Sequence, residues 1–183
     1  MDELVTRRSA DLLGQTWASF SLCGTYRYEL ARRWADGPLL RFVLLNPSKA
    51  THVVNDHTWV RCVRRVQRAG YAGVLIQNLF ALRATEPADM LAHPAPIGPC
   101  NDRLLAAPSA PIAATVLGWG VHGTHRGRCY DVAELLTGPV SCLAVNAAGQ
   151  PRHPLYVAMH VQPTPYTVPD RPEHFVAATF AVN

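Results

Sequence analysis

The stretch Arg41-Phe42-Val43-Leu44-Leu45-Asn46-Pro47 decides how this chain is read. Residues 41–45 form a continuous β-rich run of the kind found in strands covered on both faces. It stops at Asn46-Pro47 because proline cannot donate to a central ladder. Three similar runs follow, at residues 73–77, 112–118 and 140–145, ending at Asn78, Trp119-Gly120 and Asn146. Between the first two, Asp56 is placed to cap a helix reaching about Ala69, with Gly70 just past its end. Trp59, Val63 and Val66 share one side of that helix, with Cys62 adjoining. Asn101 is placed to cap a short helix ending near Pro108, and another helix is expected around Tyr130–Leu136.

Alternating strands and helices imply parallel strands joined by right-handed crossovers. The predicted fold is therefore an α/β, three-layer α/β/α sandwich around a central four-stranded parallel sheet. Residues 17–34 alternate apolar and polar about Cys23-Gly24-Thr25, which predicts a β-hairpin at one sheet edge. Residues 1–14 read as a short helix or arm. Residues 81–100 read as a long proline-rich loop, a length usually tied to function. The whole of 1–183 is expected to be a single domain with a Pro-rich extended tail from about 161.

An apolar fraction of 49% and a charged fraction of 16% suit a globular protein with a full core. The net charge is +4, and of the 17 basic residues only Lys49 is not arginine. That bias reflects either genome composition or contact with phosphate, which arginine grips through a planar fork. The five cysteines are widely spaced with no CxxC pair, so neither a disulfide framework nor a metal cluster is indicated. No metal or other cofactor is expected. No apolar run approaches the roughly 18 residues that span a bilayer. A cytoplasmic protein with no membrane partner is the expectation.

Open parallel sheets bind ligands beyond the carboxyl ends of their strands, where several polar groups of this chain arrive. Asn46 is a strand-ending turn, or an amide that orients a water. Asn78 presents a donor and an acceptor together, as the edge of a nucleobase requires. His153, in Pro151-Arg152-His153-Pro154-Leu155, is placed to donate to a developing anion. Asp56 is a helix cap or a second acid–base group. Phe80 is a core residue or a ring that stacks on a base. Arg83 is the best single phosphate contact, ahead of Arg61, Arg64, Arg65 and Arg68, which read first as a solvated helix face. Ser48 and Trp119, on the same tips, complete the substrate-binding candidates.

Together these segments resemble a bacterial family known as domain of unknown function 1643. The likeness rests on Tyr26-Arg27-Tyr28, Leu45-Asn46-Pro47-Ser48, Asp56-His57-Thr58, Asn78 through Thr85, Gly98-Pro99-Cys100-Asn101-Asp102, Trp119-Gly120 and His153-Pro154-Leu155-Tyr156. It covers about residues 20–160 and implies no activity. A more distant likeness is to the uracil-DNA glycosylase superfamily. Leu45-Asn46-Pro47-Ser48 is similar to its water-positioning motif, Asn78 to its base-reading asparagine, Leu117-Gly118-Trp119-Gly120 to its WG-containing strand. His153 is similar to the histidine that stabilises the departing base, and all four occur in the same order. The aspartate of the GQDPYH-type motif is absent, and His153-Pro154-Leu155-Tyr156 lacks the serine and second proline of the DNA-pinching loop.

This likeness implies a nucleobase N-glycosidase, with catalytic Asn46, His153 and Asp56. Its substrate would be a nucleotide, nucleoside or nucleic acid. The alternatives are a non-catalytic nucleotide or nucleic-acid binding module, and an unrelated hydrolase using Asp56 and His57.

Overall fold

The computed structural model describes residues 4–48 and 57–173. The strands are β1 (Leu4–Asp11), β2 (Gly14–Ser21), β3 (Arg27–Arg33), β4 (Leu39–Leu44), β5 (Gly73–Asn78), β6 (Ile112–Leu117), β7 (Val140–Cys142) and β8 (Thr164–Pro165). They form one mixed sheet in the order β1-β2-β3-β5-β4-β6-β7-β8. The four expected runs are its parallel core, β5-β4-β6-β7. The fold class is thus mixed α/β, and the core is wider than expected on both sides.

The helices are α1 (His57–Arg68), α2 (Pro87–Ala92), α3 (Asn101–Ala106) and α4 (Arg128–Leu135). Alternation along each strand splits the core between two faces. Leu40, Phe42 and Leu44 of β4 and Val74 and Ile76 of β5 pack with Cys62 and Val66 of α1. On the other face Val43, Leu79 and Leu117 pack with Met90 of α2, Leu105 of α3 and Cys129 and Val132 of α4. Fully burying one such Leu, Ile, Val or Phe is worth about 1.5–3 kcal/mol.

Three expectations need correction. Residues 4–11 are a strand rather than a helix or arm, so the expected hairpin is a three-stranded antiparallel meander, β1-β2-β3, joined to β5. The cause is a backbone ladder of eight residue pairs between β1 and β2, which needs no apolar face. Residues 81–100 are not all loop, since α2 forms within them behind Pro87, a residue suited to a first helical turn. Asn101 does not cap α3: it is the first helical residue, and Cys100 holds the cap position.

Arg41 is a further departure, because the run 41–45 carries a charged residue only 2% exposed. Its Nε donates to Thr115 Oγ1 at 2.9 Å and its Nη1 to the Leu105 carbonyl at 2.9 Å. Nearby, Gln77 donates to Glu29 at 3.2 Å and to the Leu104 carbonyl at 2.6 Å. This polar network joins β3, β4, β5 and β6 to the end of α3.

Candidate active site

β4 lies between β5 and β6, so successive connections leave it in opposite directions. Such a reversal opens a crevice at the carboxyl ends of the two strands that flank it. At the end of β4 the chain turns through Asn46, and at the end of β6 through Gly118-Trp119-Gly120. Asn78 closes β5 and stands in register with Leu44. All three belong to parallel strands, and therefore share one edge of the sheet.

Asn46 is held from two directions. The ladder continues past β4 and β5 as Leu79 and Phe80 N–H groups donate to the Leu44 and Leu45 carbonyls. Ala84 N–H then donates to the Pro47 carbonyl at 3.0 Å. The Asn46 Nδ2 donates to the Ala84 carbonyl at 2.9 Å and the Pro47 carbonyl at 3.2 Å. Both amide hydrogens are spent on backbone, which fixes the orientation of the group and leaves Oδ1 as an acceptor.

Asn78 follows Val74 and Ile76 at strand spacing, on the side of the sheet that α1 covers. It is 3% exposed, and its side-chain amide makes no hydrogen bond among the described residues. Its backbone is held instead. Asn101 Nδ2 donates to the carbonyls of Asn78 and Leu79 at 3.0 and 2.9 Å. Arg128, 1% exposed, adds a bond from Nε to the Leu79 carbonyl at 2.9 Å and pairs with Asp102.

His153 reaches the same edge by a different route. Gly120 N–H donates to the Pro151 carbonyl, and Arg152 N–H to the Ala144 carbonyl, each at 2.8 Å. The next residue, Pro154, packs on Gly118. A β-carbon at Gly118 would lie 2.8 Å from Pro154 Cδ and 3.1 Å from Leu44 Cδ2, so only glycine admits this contact. His153 caps the short helical turn Pro154–Tyr156, its Nδ1 accepting from Leu155 N–H at 3.3 Å. An accepting Nδ1 on a neutral imidazole places the proton on Nε2. The Tyr156 ring lies 5.9 Å away, tilted by 54°. Arg61 of α1 secures the turn by donating to the carbonyls of Pro154 (3.0 Å) and Val157 (2.6 Å).

Three candidates are used elsewhere. Phe80 is fully buried in the core, its ring 5.8 Å from that of His125, so it has no face to offer a base. Trp119 is 2% exposed and donates from Nε1 to Gln150 Oε1 at 2.9 Å. Its ring lies where a β-carbon on Gly123 would fall within 2.0 Å of it, which locks it inside. Arg83 donates to the Gly24 carbonyl at 2.9 Å and lies 5.6 Å over the Phe20 ring, tying its loop to the β2–β3 turn. Ser48 is half-buried beside Pro47. Asp56 lies outside the described residues, and His57 is the exposed first residue of α1.

Of the α1 arginines, Arg64 and Arg68 are exposed as a solvated face requires, whereas Arg61 and Arg65 are turned to backbone carbonyls. Arg65 joins Arg61, donating to the carbonyls of Val157, Ala158 and Val161. Sequence reading also missed Asn101 and Arg128 as supports of the β5 tip. The stretch Gly98–Asp102 was the available signal, though nothing in it says which carbonyls Asn101 would reach. Beside Phe80, burial first, and then Arg126 and His122, lower the His125 pKa.

The edge thus carries an amide acceptor at Asn46, an undirected amide at Asn78 and the capped imidazole of His153. Among the described residues no helix is long and apolar enough to cross a membrane. The profile of the family described as "Protein of unknown function (DUF1643)" matches residues 27–155. The chain belongs to that family. No curated protein and no solved structure matches it.

Proposed function

We propose, from a family whose description names no activity, that this edge takes a nucleobase and hydrolyses its bond to the sugar. The observation that carries the reading is the capped imidazole of His153. With Nδ1 committed to Leu155 N–H, Nε2 is the donor, and a preorganised donor stabilises charge that develops during reaction. The C1′–N bond breaks with its electron pair going to the base, where His153 Nε2–H bonds the growing negative charge. Water adds its oxygen to C1′, and its proton reaches the released base through solvent. Asn46 Oδ1 accepts a hydrogen bond from that water and turns its lone pair toward the sugar. Asn78 reads the base edge with a donor and an acceptor.

The likeness to uracil-DNA glycosylases belongs to this proposal, and the preserved order of four segments supports it. The shortened His153 motif favours a nucleoside, nucleotide or single-stranded substrate over a base drawn from a duplex, where flipping costs a few kcal/mol.

The test is incubation with labelled nucleosides, nucleotides and modified oligonucleotides, followed by chromatography for free base. Removing one donor to a developing anion costs about 10²–10³ in rate, the loss expected for His153→Ala. Asn78→Ala should chiefly raise KM. Release unchanged in His153→Ala and Asn46→Ala would refute these roles. One observation favours a second reading, a nucleotide-binding module without chemistry: Asn46 is an amide and cannot take the proton from water. That reading predicts saturable, salt-sensitive binding with no free base.

A further inference from the structure

The amino edge of the parallel core, opposite the edge described above, carries a cavity of about 500 Å³. Its wall includes Arg41, Ser109, Pro111, Ile112 and Thr137. The volume falls in the range of small-molecule sites. Arg41 enters it from a strand at the centre of the sheet, and among the described residues no carboxylate lies within 4 Å of the guanidinium.

The hydrogen bonds of Arg41 are unevenly shared. Nε is used by Thr115, and Nη1 by the Leu105 carbonyl and, at 3.4 Å, by Gln77 Oε1. Nη2 has no hydrogen-bond partner among the described residues, yet it is not among the sealed atoms of the interior. Arg41, a residue only 2% exposed, therefore keeps an opening at one guanidinium nitrogen, at a cavity its own side chain lines. Burial opposes its charge and Glu29 supports it from the side of β3.

Ser109 adds a second donor. Its Oγ accepts from Trp17 Nε1 at 3.0 Å, so its own proton is free to point into the cavity. Its backbone N–H is already committed to Glu29 Oε1 at 3.0 Å. Proline, alanine and isoleucine supply most of the remaining wall. We propose that this cavity binds a small organic monocarboxylate, with its oxygens on Arg41 Nη2 and Ser109 Oγ and its apolar body against Pro111 and Ile112. A single charge is specified because Glu29, bonded to the Ser109 N–H, opposes a more highly charged anion. Thr115, Leu105 and Gln77 hold the fork in place before the ligand arrives, which reduces the ordering cost of binding.

The test is a chemical-shift titration of the full chain with acetate, butyrate, benzoate and inorganic phosphate in separate arms. Butyrate or benzoate should shift the amides of Ser109, Ala110 and Gly138 saturably and more tightly than acetate, with phosphate weakest. Losing a charge-assisted bond should weaken binding about tenfold or more in Arg41→Gln, and Ser109→Ala should weaken it less. If Arg41→Gln fails to fold, Thr137→Trp decides the matter, since it fills the cavity from an exposed position. Loss of the carboxylate response in Thr137→Trp supports the site. An unchanged response in that variant, phosphate binding above every carboxylate, or no saturable shift in any arm would overturn it.

Discussion

On the α1 face two arginines hold four carbonyls of an irregular segment, whereas on the opposite face an asparagine and an arginine hold the end of a strand. Arg61 and Arg65 bond the carbonyls of Pro154, Val157, Ala158 and Val161. Asn101 and Arg128 bond those of Asn78 and Leu79. Both sets supply side-chain donors to backbone acceptors at places where regular structure ends, and buried acceptors left unpaired are costly. What differs is what each set holds up. The first fixes the chain that carries His153, and the second fixes the residue, Asn78, expected to read a base. The lesson is that arginines on a helix can be folding elements for a segment without regular structure.

The largest effect is expected at Arg65. Arg65→Met removes three hydrogen bonds from a side chain only 8% exposed, leaving the Val161 carbonyl without a side-chain donor while Val157 keeps Arg61 and Ala158 keeps the Val161 N–H. At about 1–3 kcal/mol for an unsatisfied buried group, partly relieved by water, a loss near 3 kcal/mol should appear in urea denaturation. Arg64, one residue away and exposed, should tolerate alanine within about 0.5 kcal/mol. Equal losses in the two variants would erase the distinction between carbonyl anchor and solvated charge.

On the other face, Asn101→Ala removes the donor to two carbonyls but leaves Arg128 on one of them. A smaller loss, about 2 kcal/mol, is expected. Amide exchange should quicken at Leu79 and Phe80 before it does in α1. Uniform quickening would mean that Asn101 supports the whole core rather than the strand tip.

The contrast between these faces also explains what could be read from the sequence. The four core strands were legible because burial on both faces leaves unbroken apolar runs. β1 was not, since seven of its eight residues are exposed and its ladder leaves no mark in residue type. Arg41 was hidden for the opposite reason, as one guanidinium inside an apolar run gives no sign of the carbonyl waiting at Leu105. The residues of the carboxyl edge could be named from where strands end. Whether each faced the rim could not, because Phe80, Trp119 and Arg83 are oriented by contacts from His125, Gln150 and Gly24, far off in sequence.

Alkaline pH provides a milder way to separate the faces. Burial raises Tyr28 and Tyr166 to about 12 and Cys129 to about 11, and all three belong to the side of α3 and α4. Their ordinary values are lower, so the unfolded chain loses these protons first. Stability from this source is intact below about pH 9 and declines as pH rises toward 12. Exchange at α4 should therefore accelerate in that window ahead of α1. Loss of α1 first, or a decline beginning below pH 8, would contradict the assignment of these groups to one face.

Among the carbonyl-holding side chains the smallest change in stability is expected at Arg61, which is half-buried and shares Val157 with Arg65. Arg61→Ala should cost about 1 kcal/mol. Its second bond, to the Pro154 carbonyl, fixes the turn that His153 caps, so the local consequence exceeds the global one. Nitrogen chemical shifts of the imidazole report this directly. The variant should lose part of its Nε2–H tautomer as Leu155 N–H slips from Nδ1, while Arg64→Ala keeps it. If base release is established, kcat should fall in Arg61→Ala with KM nearly constant, because Asn78 is held from the other face. A variant that keeps the tautomer and loses only stability would reduce Arg61 to a fastener, with no part in orienting His153.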